Sequence, residues 1–247
     1  MKADVKITDF HSHILPFMDD GSRSVEESLQ MLRMLKSQGV DRVVATPHFY
    51  PKQEDPVSFL KRRSESVTML RSYLSFQEID KREIPEILIG AEVAYFGGMS
   101  LYKNIRDLCI QGTDVMLLEM PFCRWTDVVV NEVCKMRSEL GIKVVLAHID
   151  RYFHYVDNEK FFKLKTHRVL MQANADPFLR FISGRRILRL IHSNSIHALG
   201  SDCHNITERP SNMNEAINVI CSKGYSAKLV NMMGAIDELL SDATPMM

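Results

Sequence analysis

Nine side chains able to bind a metal recur along the 247-residue chain. His11 and His13 flank a serine, and Asp20 follows after a short turn. His48, Glu92, Glu119, His148, Asp202 and His204 come later. Imidazole nitrogen mixed with carboxylate oxygen suits Mn²⁺, Fe²⁺ or Zn²⁺, and no matching cysteines point to a thiolate site. One four-coordinate ion cannot use nine ligands, whereas two or three ions bridged by carboxylates can. A pair of ions roughly 3.5–4 Å apart can hold a hydroxide and clamp a phosphoryl oxygen. Asp20 belongs to an Asp-Asp-Gly string that is also an ordinary turn signal, and Asp19 beside it is read as structural.

Ligands spread over some 190 positions need a scaffold that gathers them. Short apolar, β-branched runs supply one: Val5–Phe10, Arg42–Thr46, Ile87–Glu92, Val115–Glu119, Lys143–His148, Val169–Ala173 and Ala198–Ser201. Helical patterns lie between them. Ser24-Val-Glu-Glu27 has the form of a capping box, Gly39 of a C-terminal stop, and Leu29, Leu32 and Leu35 mark one face. Other expected helices are Val57–Leu74, Asp127–Leu140, Phe178–His192 and Asn212–Ser222. Alternating strands and helices imply a mostly parallel sheet, and seven strands suggest a barrel. The carboxyl ends of such strands form the functional rim. Six of the seven end in a histidine or carboxylate; the sixth offers Gln172, Asn174 and then Asp176. Residues two apart on a strand point the same way, so His11 pairs with His13 and Asp202 with His204.

Charge and composition exclude several classes. There are 31 basic and 31 acidic residues, so bulk charge draws neither nucleic acid nor an anionic membrane. MKADVKITDF lacks the apolar stretch of a signal peptide, and no run is long enough to span a bilayer. Five scattered cysteines argue against a disulfide framework. One domain over residues 1–247, in the cytoplasm and without membrane insertion, is the expected organisation; the fifteen methionines fit core packing.

The string DFHSHILPFMDDGSRSVEESL resembles the first motif of the PHP (polymerase and histidinol phosphatase) superfamily. Within it, the chain is similar to bacterial protein-tyrosine phosphatases of capsule and exopolysaccharide operons. ATPHFYP, GAEVAYF, LLEMP, AHIDRY and SDCHNITERP continue the likeness in order, from Asp9 to Pro210. The resemblance implies a distorted seven-stranded (β/α)7 TIM-like barrel with three divalent metal ions, Mn by preference and Fe or Zn otherwise. His11, His13, Glu92 and Asp202 would hold the first; Glu92, Glu119 and His148 the second; Asp20, His48 and His204 the third. Arg151 and Arg209 would grip the substrate phosphate through planar, bidentate donors. The implied substrate is phosphotyrosine on a protein, namely the Tyr-rich tail of a bacterial tyrosine autokinase that controls polysaccharide export. Hydrolysis of a small ester such as histidinol phosphate on the same scaffold is the alternative. Asp202 or His204 could assist proton transfer, although a phenolate (pKa about 10) can leave without a general acid.

Three stretches depart from the family pattern: Phe17-Met18 where a glycine is common, Ile-Asp in AHIDRY where Pro-Glu is common, and an unusually polar HSNSIHALGSDCH. None removes an expected ligand. Residues 49 to 63 (FYPKQEDPVSFLKRR) are expected to form a loop and helix near the mouth. Cys203 and Arg209 also match the Cys-x5-Arg spacing of cysteine-dependent phosphatases. That loop has no glycine and contains Glu208, so it suits phosphate poorly.

Overall fold

A computed structural model describes residues 5–246. Met1–Asp4, part of the segment read as lacking a signal peptide, and Met247 lie outside the described residues. The strands are β1 (Thr8–Ser12), β2 (Arg42–Ala45), β3 (His48–Phe49), β4 (Glu86–Ile89), β5 (Glu92–Ala94), β6 (Val115–Glu119), β7 (Lys143–Leu146), β8 (Leu170–Asn174) and β9 (Ala198–Gly200). The helices are α1 (Val25–Ser37), α2 (Pro56–Phe76), α3 (Asp127–Ser138), α4 (Asn158–Thr166), α5 (Phe181–His192), α6 (Met213–Ser222) and α7 (Ser226–Leu239). Among the described residues no helix is long and apolar enough to cross a membrane.

The strands form two sheets, ordered β1-β2-β4 and β3-β5-β6-β7-β8-β9, with every ladder parallel. The expected strand Ile87–Glu92 is interrupted at Gly90-Ala91, between β4 and β5; at the matching level the expected Arg42–Thr46 ends as β2, and β3 follows beyond Thr46-Pro47. Pro47 has no N–H to give to a ladder, but its carbonyl accepts from Glu92 N at 3.0 Å and carries the chain across the gap. The first and last strands also meet. Asp202 N donates to His11 O at 2.8 Å and His13 N to Cys203 O at 2.9 Å. Phe10, Val44, Leu88, Leu117, Val145 and Ala198, from six strands, share one buried cluster with Ile236 of α7 and Leu240 just after it. Side chains from strands so far apart in order can meet only if the sheet curls.

The capping signals hold in detail. Ser24 caps α1 by accepting from Glu27 N, while the Glu27 carboxylate reaches back to Arg23 N, one residue before the cap. Gly39 takes φ 82° after the last turn, where any β-carbon would be strained. The helix expected from Phe178 begins instead at Phe181, after a separate 3₁₀ turn over Asp176–Leu179 with Pro177 in its first turn. Helices α4 and α7 were not anticipated. Phe17 stands at φ 61°, in the left-handed region that favours glycine; a side chain there costs about 1 kcal/mol.

Candidate metal centre and active site

All nine expected ligands converge at the carboxyl ends of the strands. Ligand atoms of His11, His13 and Glu92 lie within 4.8 Å of one another, as do those of His48, Glu92 and Glu119, and those of His13, Asp20, His48 and His204. His148 and Asp202 adjoin these groups. His148 Nε2 is 2.8 Å from Glu92 Oε1 and 3.6 Å from Glu119 Oε1. Asp202 Oδ1 is 3.5 Å from His13 Nε2 and 3.7 Å from His11 Nε2. The grouping implied by resemblance is thus approximated, but His48 also stands with Glu92, and His13 joins the Asp20 group.

Three of the five imidazoles are held in one tautomer. His13 Nδ1 donates to Asp19 Oδ2 at 2.8 Å, and His204 Nδ1 donates to the Asp202 carbonyl at 2.9 Å. His11 Nδ1 donates to Gln172 Oε1 at 3.4 Å. The Gln172 amide is oriented by His148 N, which donates to Oε1 at 2.7 Å. Each of these three rings therefore turns its Nε2 toward the cluster, as a metal ligand must, whereas His48 turns Nδ1 toward Glu92. His11 Nε2 and His13 Nε2 lie only 3.2 Å apart. The buried atoms His48 Nδ1, Glu92 Oε2 and His204 Nε2 have no hydrogen-bond partner among the described residues. His48 Nδ1 and Glu92 Oε2 are 2.9 Å apart, yet not aligned as donor and acceptor. Buried polar atoms are seldom left this way. Orphaned imidazole nitrogens and a carboxylate oxygen gathered in one site fit divalent cations.

Electrostatics follow from this crowding. Burial opposes charge on Glu92, but the surrounding histidines, His11 first, hold its carboxyl well below the usual range. Burial likewise opposes charge on His148, and its hydrogen bonds to Glu119 and Glu92 overcome that, raising it to about 9. His204 is pushed down to about 4 by burial and then by the charge of His13. His148 (φ 32°) and Asp202 (φ 54°) both take left-handed backbone conformations, a strain often kept at functional sites. Gly200 permits β9 to approach β1: a β-carbon there would lie 2.6 Å from His11 Cβ.

Asp19, read from sequence as structural, positions two ligands. Its Oδ2 accepts from His13 Nδ1 and from His48 N, both at 2.8 Å, and its Oδ1 accepts from Gly21 N at 2.9 Å. The need of a ligand histidine for an acceptor on its second nitrogen is the signal that could have found it. Asp19→Asn leaves one oxygen where two are needed and turns N–H groups against N–H groups. We expect metal affinity to fall roughly 10–100-fold, measured by titrating metal against a fluorescent chelator; unchanged affinity would remove Asp19 from the site.

The sixth expected strand, β8, contributes a relay instead of a ligand. Gln172 Nε2 donates to Asn174 Oδ1, and Asn174 Nδ2 donates to Asp202 Oδ2, each at 2.9 Å. Both expected phosphate-binding arginines lie on the rim. Arg151 donates to Asp202 Oδ2, and Arg209 lies 3.2 Å from Asp202 Oδ1 and 3.4 Å from Asp20 Oδ2. Of residues 49 to 63, Tyr50 stacks on His48 with ring centroids 4.8 Å apart, whereas Phe49 is buried against Phe59 in the core.

Cys203 is fully buried, and burial, helped by the charge of Asp9, pushes its thiol up to about 12. A thiolate nucleophile is therefore unavailable near neutral pH. Cys203→Ser is expected to retain activity within about twofold of the parent, since the oxygen replaces a sulfur that only fills space. Loss of turnover in that variant with its metal content intact would reinstate the thiol.

Comparison with known proteins gives the site its context. The family model described as "Capsular polysaccharide synthesis, CpsB/CapC" matches residues 7–235. The tyrosine-protein phosphatase YwqE of Bacillus subtilis is 28% identical over 241 residues, spanning 94% of this chain and 90% of its own. The tyrosine-protein phosphatase CpsB of Streptococcus agalactiae is 26% identical over 227 residues, spanning 86% and 89%. A structure from work on YwqE from Bacillus subtilis and CpsB from Streptococcus pneumoniae, described as metal-dependent tyrosine phosphatases, superposes with a TM-score of 0.82. It does so at 23% identity over 96% of each chain.

Proposed function

The chain belongs to the capsular polysaccharide synthesis CpsB/CapC family, and from that membership we propose that it is a metal-dependent protein-tyrosine phosphatase. The observation that carries this reading is the convergence of the His11, His13, His48 and His148 rings on the Glu92 carboxylate, with Glu92 Oε2, His48 Nδ1 and His204 Nε2 lacking hydrogen-bond partners among the described residues. The named relatives are tyrosine phosphatases, which favours phosphotyrosine over histidinol phosphate. The substrate is phosphotyrosine on a protein, with the tyrosine-rich tail of a bacterial autokinase as its physiological source. The protein acts in the cytoplasm as one domain over residues 1–247. Counting β2 with β3, and β4 with β5, as one interrupted strand each would give the seven strands expected of a PHP-type barrel.

His11, His13, Asp20, His48, Glu92, Glu119, His148, Asp202 and His204 would hold three divalent ions, Mn by preference and Fe or Zn otherwise. Bound there, the cations would make a water nucleophilic near neutral pH and offset charge on the phosphoryl oxygens. The protein's own contribution is orientation. Asp19, Gln172 and the Asp202 carbonyl fix which nitrogen His13, His11 and His204 present. Arg151 and Arg209 now rest on Asp202 and Asp20. An incoming phosphate competes for those guanidiniums, whose forked donors match its oxygens. Asp202 and His204 are placed to assist proton transfer. A phenolate, with a pKa of about 10, can also leave without that help.

The test is phosphate release from a phosphotyrosine peptide and from histidinol phosphate, before and after EDTA stripping, with Mn²⁺ then restored. We expect peptide turnover to vanish and return, with histidinol phosphate at least about tenfold slower. Chelator-indifferent turnover would overturn the metal mechanism, and a preference for histidinol phosphate would overturn the substrate.

A further inference from the structure

The stretch from Pro177 to Ser201 holds four arginines and no carboxylate, in a chain whose net charge is zero. Most of the arginines lie on one exposed face of α5. Ile182, Arg185, Arg186 and Arg189 recur at helical spacing i, i+3, i+4 and i+7, while Gly184, Ile187 and Ile191 are buried on the other side. At the start of the helix two large apolar side chains stand in solvent: Phe181 is 74% exposed and Ile182 83%. The Arg185 guanidinium lies 4.0 Å from the centre of the Phe181 ring, and Arg186 lies 3.9 Å from that of Phe153. Arg180 pairs with Asp176, but Arg185, Arg186 and Arg189 have no carboxylate partner among the described residues.

We propose that this face of α5 docks on an anionic phospholipid surface, with Phe181 and Ile182 entering the interface and Arg185, Arg186 and Arg189 meeting the headgroups. Exposed apolar side chains beside unpaired basic ones are what such an interface rewards. An acidic peptide could also meet an arginine cluster, but the two large apolar side chains standing in solvent beside the arginines favour a lipid interface, which takes up both. A second copy fits less well too, because a two-fold contact through this face would set its arginines against one another. Docking would bring the proposed active site close to the lipid. Arg180 and Ser183 line the same cavity of about 420 Å³ as Arg151, Arg209 and Asp202. The inference rests on surface chemistry and not on the reaction proposed above.

The experiment is co-sedimentation of the whole protein with vesicles of phosphatidylcholine alone or mixed with phosphatidylglycerol. Binding is expected only to the anionic vesicles and should weaken as salt rises. Phe181→Ser/Ile182→Ser and Arg185→Glu/Arg186→Glu should each lower the partition coefficient about tenfold or more. Turnover of a soluble aryl phosphate, or the thermal midpoint if there is no turnover, should stay at parental values and so exclude misfolding. An Ile182→Trp variant adds a direct reading. Trp125, the single native tryptophan, is 1% exposed, so a blue shift on anionic vesicles reports insertion at position 182. Absence of anionic binding, or binding indifferent to both double variants, overturns the proposal. So does concentration-dependent self-association abolished by Phe181→Ser, or capture of an acidic phosphopeptide without capture of vesicles.

Discussion

Glu92→Gln is expected to cost on the order of 10³-fold in kcat, more than any other conservative change in the protein. The Glu92 side chain is 1% exposed and faces four imidazoles: His148 Nε2 at 2.8 Å, His48 Nδ1 at 2.9 Å, His11 Nε2 at 3.1 Å and His13 Nε2 at 3.5 Å. Glutamine has nearly the same volume, so packing survives. It removes the charge that two adjacent cations would share and can turn amide hydrogens toward lone pairs meant for metal. Metal content measured by mass spectrometry should drop together with activity. The thermal midpoint in EDTA should stay close to that of the stripped parent, which separates lost chemistry from lost fold. A variant that keeps all its metal and more than about a tenth of its turnover would show that Glu92 is not the hub.

Arg151→Met should lower kcat/KM on a phosphotyrosine peptide by roughly 10²–10³-fold while leaving metal content unchanged. Methionine preserves much of the apolar stem and deletes the fork. Arg151 sits in the turn after β7 and donates to Asp202 Oδ2. It is thus within reach of the cluster without contributing a ligand atom. Arg151→Lys should recover only a fraction, since a point charge cannot bridge two phosphoryl oxygens in a plane. Inhibition by inorganic phosphate separates the two ways this could fail. If Arg151 grips the phosphoryl group, phosphate should inhibit the methionine variant much more weakly than the parent. Unaltered phosphate inhibition would confine Arg151 to holding Asp202. The same measurement on Arg209→Met tests the partner that pairs with Asp20 as well as Asp202.

Much of the site was legible because ligand chemistry survives in one dimension. Imidazoles and carboxylates at strand ends keep their identity whatever the fold does, and two-residue spacing along β1 places His11 and His13 together by strand geometry. The central strands were readable for a similar reason. Val115–Glu119 is an apolar run ending in a carboxylate, and it forms β6 over those same residues. Helix α4 was invisible because only Leu164 in it is buried, so no apolar period is written there. Helix α7 does carry Leu229, Met232, Met233 and Ile236 at helical spacing, but Gly234 lies within the run and an apolar stripe does not say what it covers.

What the sequence by itself determined is the inventory: which atoms can bind metal, that they end parallel strands, and which family wrote them in that order. What the tertiary structure decided is every relation between residues distant in the chain. Asp19 became a positioning group because its turn folds back beneath His13 and His48. Gln172 and Asn174 became a relay because β8 lies beside both β7 and β9. Glu92 became the centre because the pairing of β2 with β4 continues in the same register past Pro47 and Gly90-Ala91, so that β5 lies beside β3 with Glu92 opposite His48. A residue type names the bonds a side chain can make. Only the closing of a curled sheet brings donors and acceptors to within 3 Å, and at that range direction and burial decide which bonds are made.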